Sequence, residues 1–203
     1  MFYLIGVKLF PVDLDKAVEV IARSIPQRNG DYFCFTNIHV VMEGIKNKEY
    51  KTILNESAGN LPDGMGVAWA LKFLGNNFEG RVRGADFMLK LCEYAELNNL
   101  KVFFYGNTDE TLEALKKKLK SMFPELQIAG SISPPFRPLT KEEDETYVAH
   151  INDSGADILF VSLGAPKQEY WMYEHKGRIK AIQLGVGAAF SFITGKVKLS
   201  PSP

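Results

Sequence analysis

From Lys101 onward the apolar positions follow two alternating patterns. "KVFFYG" is a continuous apolar run, as a strand covered on both faces should be. "NTDETLEALKKKLKSMF" follows, with Leu112, Leu115, Leu119 and Met122 in helical period. Its first turn is acidic and its last is rich in lysine, which suits the helix dipole. "LQIAGSI" reads as a strand. "TKEEDETYVAHIN" reads as a helix opened by a capping box from Thr140 to Glu143. Then come a strand in "ADILFVSLG", a helix in "APKQEYWMYEH" and a strand in "KAIQLGVG". Strands that alternate with helices in this way predict a parallel sheet joined by right-handed crossovers.

The first hundred residues are less regular. "FYLIGVKLF" predicts one strand, and Asp13 is a good N-cap for a helix bearing Leu14, Ala17, Val18, Ile21, Ala22 and Ile25. "DYFCFT" predicts a second strand. "NIHVVMEGIKNKEYKTIL" is helical but interrupted by polar residues, so two short helices are expected. A Pro-Asp-Gly loop leads into a short helix ending near Leu74, "GNNFEGRVRG" is a loop, and a further helix opens at Gly84 or Ala85. The predicted class is α/β: one domain over 1–203, with a lobe over about 1–100 and a Rossmann-like lobe over about 101–203 whose parallel sheet carries helices on both faces. Open parallel sheets bind ligands beyond the carboxyl ends of their strands. That rule nominates four loops: Gly106 to Thr108, Ser131 to Leu139, Leu163 to Lys167, and Gly185 to Ala189.

Composition narrows the function classes. The 203 residues are 46% hydrophobic and 24% charged, ordinary for a globular protein. Lys plus Arg and Asp plus Glu number 24 each, which argues against nucleic-acid binding driven by net charge. Cys34 and Cys92 lie in apolar surroundings without a C-x-x-C spacing, so buried free thiols are expected rather than a zinc or redox site. No run of about 18 apolar residues occurs, and the first residues lack the features of a signal peptide. The expected location is the cytoplasm.

Several stretches have chemical potential. In "SLGAPKQEYW" a Gly164-Ala165-Pro166 turn leads from a strand into a helix whose first N–H groups, with Lys167, suit a phosphate. Gln168 would face the strand ends. A plain turn with a solvated lysine is an equal reading. In "QLGVGAAF", Gly185 and Gly187 form half of a dinucleotide fingerprint, which also fits close backbone packing. "RVRGADF" brings Arg81 and Arg83 to a helix start, either as phosphate ligands or as an exposed pair. In "TNIHV", Thr36 and Asn37 suit ligand binding or helix capping, and His39 suits a general base or a satisfied bystander. Asp63, between Pro62 and Gly64, reads as a helix cap or as a carboxylate held for chemistry. No metal-ligand spacing occurs, so neither metal nor other cofactor is expected.

"TN", "LPDGMGV", "RVRGADF", "LFVSLGAPKQEYW" and "GVGAAFSFITGKVKLSP" occur here in one order. That order resembles the WecG/TagA/CpsF family of bacterial glycosyltransferases over nearly the whole chain. The resemblance implies an inverting, metal-independent transfer of a sugar, N-acetylmannosamine in the best-known case, from a UDP-sugar to an undecaprenyl-diphosphate-linked acceptor. The products are teichoic acid linkage units, capsule or exopolysaccharide. It implies that Asp63 is the base taking the proton from the acceptor hydroxyl, and that Arg81 offsets charge on the departing UDP. Thr36, Asn37 and Gln168 would line the cleft, with UDP near Gly164 to Gln168 and Gly185 to Ala188. In several relatives the threonine and asparagine are separated by one residue, whereas Thr36 and Asn37 are adjacent. Relatives also continue beyond "KLSP" with a basic amphipathic tail, so the expected membrane docking on the inner face would run through a tail missing here. Its loss would expose apolar surface and favour a homo-oligomer. Two rival functions remain: a non-catalytic UDP-sugar-binding module, which would tolerate loss of the Asp63 carboxylate, and an NAD-dependent oxidoreductase, which would need the full G-x-G-x-x-G fingerprint.

Overall fold

A computed structural model describes residues 2–75 and 82–197. The first departure from the sequence pattern comes at once. The predicted opening strand is a hairpin, β1 (Phe2–Leu4) antiparallel to β2 (Val7–Leu9). Ile5 and Gly6 turn the chain, with φ of 50° and 83°. Two consecutive positive φ angles match the twist of a tight hairpin. Helix α1 (Leu14–Ser24) follows, with the Asp13 carboxylate accepting from the Lys16 N–H at 2.8 Å.

Strand β3 (Tyr32–Thr36) is buried along its length. The two expected helical pieces are α2 (Ile38–Lys46) and α3 (Lys48–Glu56). Asn47 separates them: it ends α2, and its side chain caps α3 by accepting from the Tyr50 N–H. Next come β4 (Gly59–Pro62), which the pattern did not reveal, α4 (Met65–Phe73) and α5 (Gly84–Leu97). The second half follows its predicted order: β5 (Lys101–Gly106), α6 (Asp109–Met122), β6 (Gln127–Ile132), α7 (Lys141–Asp153), β7 (Ile158–Ser162), α8 (Lys167–Glu174) and β8 (Ile182–Gly185). The capping box at Thr140 and Glu143 is present. A short α9 (Ala189–Ile193) ends the described chain.

Six strands form one parallel sheet in the order β4-β3-β8-β7-β5-β6. It is continuous across residue 100, because β3 from the first half pairs with β8 from the second. Alternate strand residues face opposite layers. Phe33, Phe35, Val102 and Phe104 pack with α1, α5, α6 and α9. Tyr32, Cys34, Phe103 and Tyr105 pack with α2, α3, α4, α7 and α8. A fully buried phenylalanine such as Phe104 contributes about 1.5–3 kcal/mol over an exposed one. Cys34 and Cys92 are buried free thiols, and burial pushes both pKa values up. The edge of β4 is covered by the chain around the opening hairpin: the Phe10 N–H donates to the Asn60 carbonyl, and Asn60 Nδ2 to the Lys8 carbonyl. Among the described residues no helix is long and apolar enough to cross a membrane.

Candidate active site

A cavity of about 460 Å³ opens where β3, β4, β7 and β8 end. Each strand delivers its next residues into the wall: Asn37 and His39 after β3, Asp63 after β4, Gly164 and Ala165 after β7, and Val186 to Ala189 after β8. Arg83, Gly84 and Ala85 add the start of α5. Two of the four nominated loops, Leu163 to Lys167 and Gly185 to Ala189, thus contribute, together with the first-half loops after β3 and β4.

Asp63 stands half-buried in this wall. It stands one residue before the N-cap of α4, a position that Gly64 occupies with φ 82°. The backbone holds Asp63 on both sides. Its N–H donates to the Thr36 carbonyl at 3.0 Å, and the preceding Pro62 carbonyl accepts from Val82 at 2.8 Å. The second bond pins the residue following Arg81 beside the Asp63 turn. Arg81 itself lies outside the described residues.

Thr36 differs from expectation. It is fully buried behind the wall, and its hydroxyl donates to Asn60 Oδ1 at 3.2 Å. The cause is the sheet: β3 is covered on both faces, so its last side chain stays in the interior. Thr36 therefore ties the ends of β3 and β4 together rather than lining the cavity. Asn37 is in the wall, and its side chain caps α2 by accepting from the Val40 N–H at 3.0 Å.

The Gly164–Gln168 segment divides between two cavities. Gly164, with φ 76°, Ala165 and Gln168 face the first. Lys167 projects into a second cavity of about 630 Å³, which also meets Tyr105, Trp171 and the Pro134–Pro138 stretch. Successive helical positions point about 100° apart, which separates Lys167 from Gln168. Pro166 lines neither and precedes α8 after a cis peptide bond. The anion-binding helix start is also narrower than expected. Pro166 has no N–H, and the Gln168 N–H already donates to the Gly164 carbonyl at 2.9 Å.

Gln168 is buried, and its amide is committed. Nε2 donates to the Gly185 carbonyl at 2.9 Å and to Glu169 Oε1 at 2.8 Å, while Oε1 accepts from the Gly187 N–H. It joins α8 to the loop after β8. The fit is close: a Cβ on Gly185 would lie 2.6 Å from Met172 Cε and 3.1 Å from Gln168 Nε2. Gly185 therefore serves close packing as well as shaping the wall, whereas Gly187 has open space around it and takes a left-handed φ of 58°.

Glu169 supports this clamp and was not foreseen. It is fully buried, and Tyr50 on α3 donates to its Oε2 at 3.1 Å. Burial raises its pKa against the opposing hydrogen bonds from Gln168, its own N–H and Tyr50. A glutamate in a polar helical run reads as solvent-facing, and only the packing of α3 on α8 makes it interior. Among the described residues no group of three or more His, Cys, Asp or Glu is placed to hold a metal ion.

With this geometry in hand, comparison with known proteins gives one consistent result. The model of the Glycosyl transferase WecG/TagA/CpsF family matches residues 2–203. Among curated relatives, the N-acetylglucosaminyldiphosphoundecaprenol N-acetyl-beta-D-mannosaminyltransferase of Bacillus spizizenii is 28% identical over 179 residues, covering 88% of this chain and 68% of the relative. The protein of the same name in Bacillus subtilis is 29% identical over 180 residues with the same coverage. That of Staphylococcus aureus is 28% identical over 174 residues, covering 85% of this chain and 66% of the relative. The chain thus spans about two thirds of their length.

Proposed function

This chain belongs to the WecG/TagA/CpsF family of glycosyl transferases, and from that premise we propose that it moves N-acetylmannosamine from a UDP-sugar to an undecaprenyl-diphosphate-linked N-acetylglucosamine acceptor. The relatives' names specify that acceptor and that sugar. The observation that carries the reading is the convergence of Asp63 with the turns after β7 and β8 on one cavity.

The reaction is a single displacement with inversion. The acceptor hydroxyl oxygen attacks C1 of the donor sugar on the face opposite UDP. As the new C–O bond forms, the hydroxyl proton passes to the Asp63 carboxylate. The bond from C1 to the β-phosphate oxygen breaks, and its electron pair leaves on UDP. The Asp63 carboxylate, half-buried in the cavity wall, is the group offered to the hydroxyl proton. Arg81, carried over by the resemblance, and Arg83 in the cavity wall are the cations suited to the charge building on UDP. With these cations in place the transfer is proposed to proceed without a metal, on the inner face of the plasma membrane.

The test is UDP release from UDP-N-acetylmannosamine in the presence of an undecaprenyl-diphosphate-N-acetylglucosamine analogue. Release that depends on both substrates is expected. Release with neither dependence, or with a different donor only, overturns the assignment.

A further inference from the structure

Six exposed large apolar side chains gather on two neighbouring helices. On α2, Ile38, Met42 and Ile45 form a stripe at helical spacing, with Ile38 41% exposed. On and just after α4, Trp69 is 64% exposed, Phe73 is 91% exposed, and Leu74 is half-exposed. The stripes meet where Gly66 lies against Ile38: a Cβ on Gly66 would stand 2.6 Å from Ile38 Cγ1. Single exposed apolar residues need no explanation, but a contiguous group marks a surface that is covered in use.

Both helices start at the candidate active site. Asn37, which caps α2, and His39 in its first turn are in the cavity wall, and Asp63 immediately precedes the N-cap of α4. The apolar face therefore begins at the cavity mouth and runs away from it. Lys46 and Lys72 stand in the last turns of the two helices. A tryptophan with lysines beyond it is the arrangement that suits a membrane–water boundary, where the ring sits at headgroup level and the ammonium groups reach the phosphates.

We propose that the α2–α4 face rests on a phospholipid bilayer, with Trp69 and Phe73 as the inserted side chains. This rests on the reading of the acceptor as a lipid-linked sugar. Such an acceptor is held in the bilayer by its polyprenyl chain, so its sugar reaches the cavity only if the mouth lies at the membrane surface. A second copy of the chain on the same face would screen the mouth from that acceptor, which favours the bilayer as occupant.

The experiment measures co-sedimentation of the full chain with vesicles of phosphatidylcholine and phosphatidylglycerol that contain neither donor nor acceptor. Wild type is expected to bind, with a blue shift of tryptophan emission. The double variant Trp69→Ser, Phe73→Ser is expected to lose roughly tenfold or more in partitioning, in line with the area-dependence of interfacial binding. Met42→Gln, a single change on the other helix, is expected to lose less in the same direction. Circular dichroism establishes that the variants remain folded. Wild type that does not bind vesicles, or variants that bind equally well, overturn the proposal. So does concentration-dependent self-association that the double variant abolishes and vesicles fail to compete with. Because these vesicles carry no substrate, failure of the transferase reading leaves their result standing. Conversely, in an active enzyme the double variant should slow transfer to vesicle-embedded acceptor while leaving a short-chain soluble acceptor unaffected; equal loss on both contradicts the proposal.

Discussion

Gln168 holds Gly187 in place: its Oε1 accepts the Gly187 N–H at 3.1 Å, while Nε2 of the same amide grips the Gly185 carbonyl at 2.9 Å. One buried side chain thus fixes the loop that forms a wall of the candidate active site. Gln168→Ala would leave both backbone groups without their partner. Removing one side of a buried hydrogen bond costs about 1–3 kcal/mol. Denaturant unfolding is expected to show a loss of that size, accompanied by weaker UDP binding in calorimetry. Unchanged stability and affinity would mean that the loop holds its shape without the clamp.

Asp63→Asn keeps the side chain's shape and removes the base. Turnover is expected to fall roughly 100-fold or more, the usual worth of a positioned proton acceptor. Gly64 rather than Asp63 is the N-cap residue of α4, and Asn caps about as well as Asp, so stability is expected to change little. UDP affinity is expected to change little, since a base on the acceptor side does not hold the nucleotide. A folded Asp63→Asn protein with near-normal turnover would remove Asp63 from the chemistry and leave His39, in the same wall, as the next base to test.

Chelation gives a separate check. With Arg81 and Arg83 offered to the charge on UDP, transfer is expected to persist in excess EDTA. Loss of UDP release on chelation, restored by magnesium or manganese, would count against metal-independent transfer.

Glu143 is one source of acid sensitivity. Hydrogen bonds from the Arg137 guanidinium and the Thr140 N–H hold the Glu143 carboxyl at about 2, well below the ordinary 4.5. A depressed pKa stabilises the fold above the unfolded value, and that contribution is lost as pH falls from about 4.5 toward 2. Glu143→Gln is expected to flatten the acid limb of stability against pH in this window. Glu169 works in the opposite sense: its raised pKa favours the protonated form, so its contribution falls as pH rises through the folded-state value. Glu169→Gln should therefore retain more stability than wild type on the alkaline side of that value. Parallel pH profiles for both variants and wild type would contradict the assignment.

The second half of the fold was legible because its strands are apolar on both faces and its helices are amphipathic. Those features determine the pattern whatever packs around them. Strand β4 was not legible. Its four residues include a glycine, an asparagine and a terminal proline, which read as a turn. Asn60 tolerates burial only because its side chain bonds the Lys8 and Leu54 carbonyls and Thr36, partners distant in sequence or invisible to periodicity. The opening hairpin was missed because Ile5, a β-branched residue, adopts a positive φ that its type disfavours. At the site, the loops after β7 and β8 were found by a topological rule. The interior direction of Thr36 and the burial of Glu169 depend on which helix covers each strand, and no local pattern carries that information.

The opening hairpin has a consequence for how the chain behaves in company. Strand β4 is the outermost strand on its side of the sheet, and an outermost strand offers its amides and carbonyls to any extended peptide that drifts past. Here that offer is withdrawn. Phe10 occupies the Asn60 carbonyl, and the backbone of Lys8 receives the Asn60 side chain. The first ten residues thus act as a selvedge, the finished border that keeps a woven sheet from ravelling onto its neighbours.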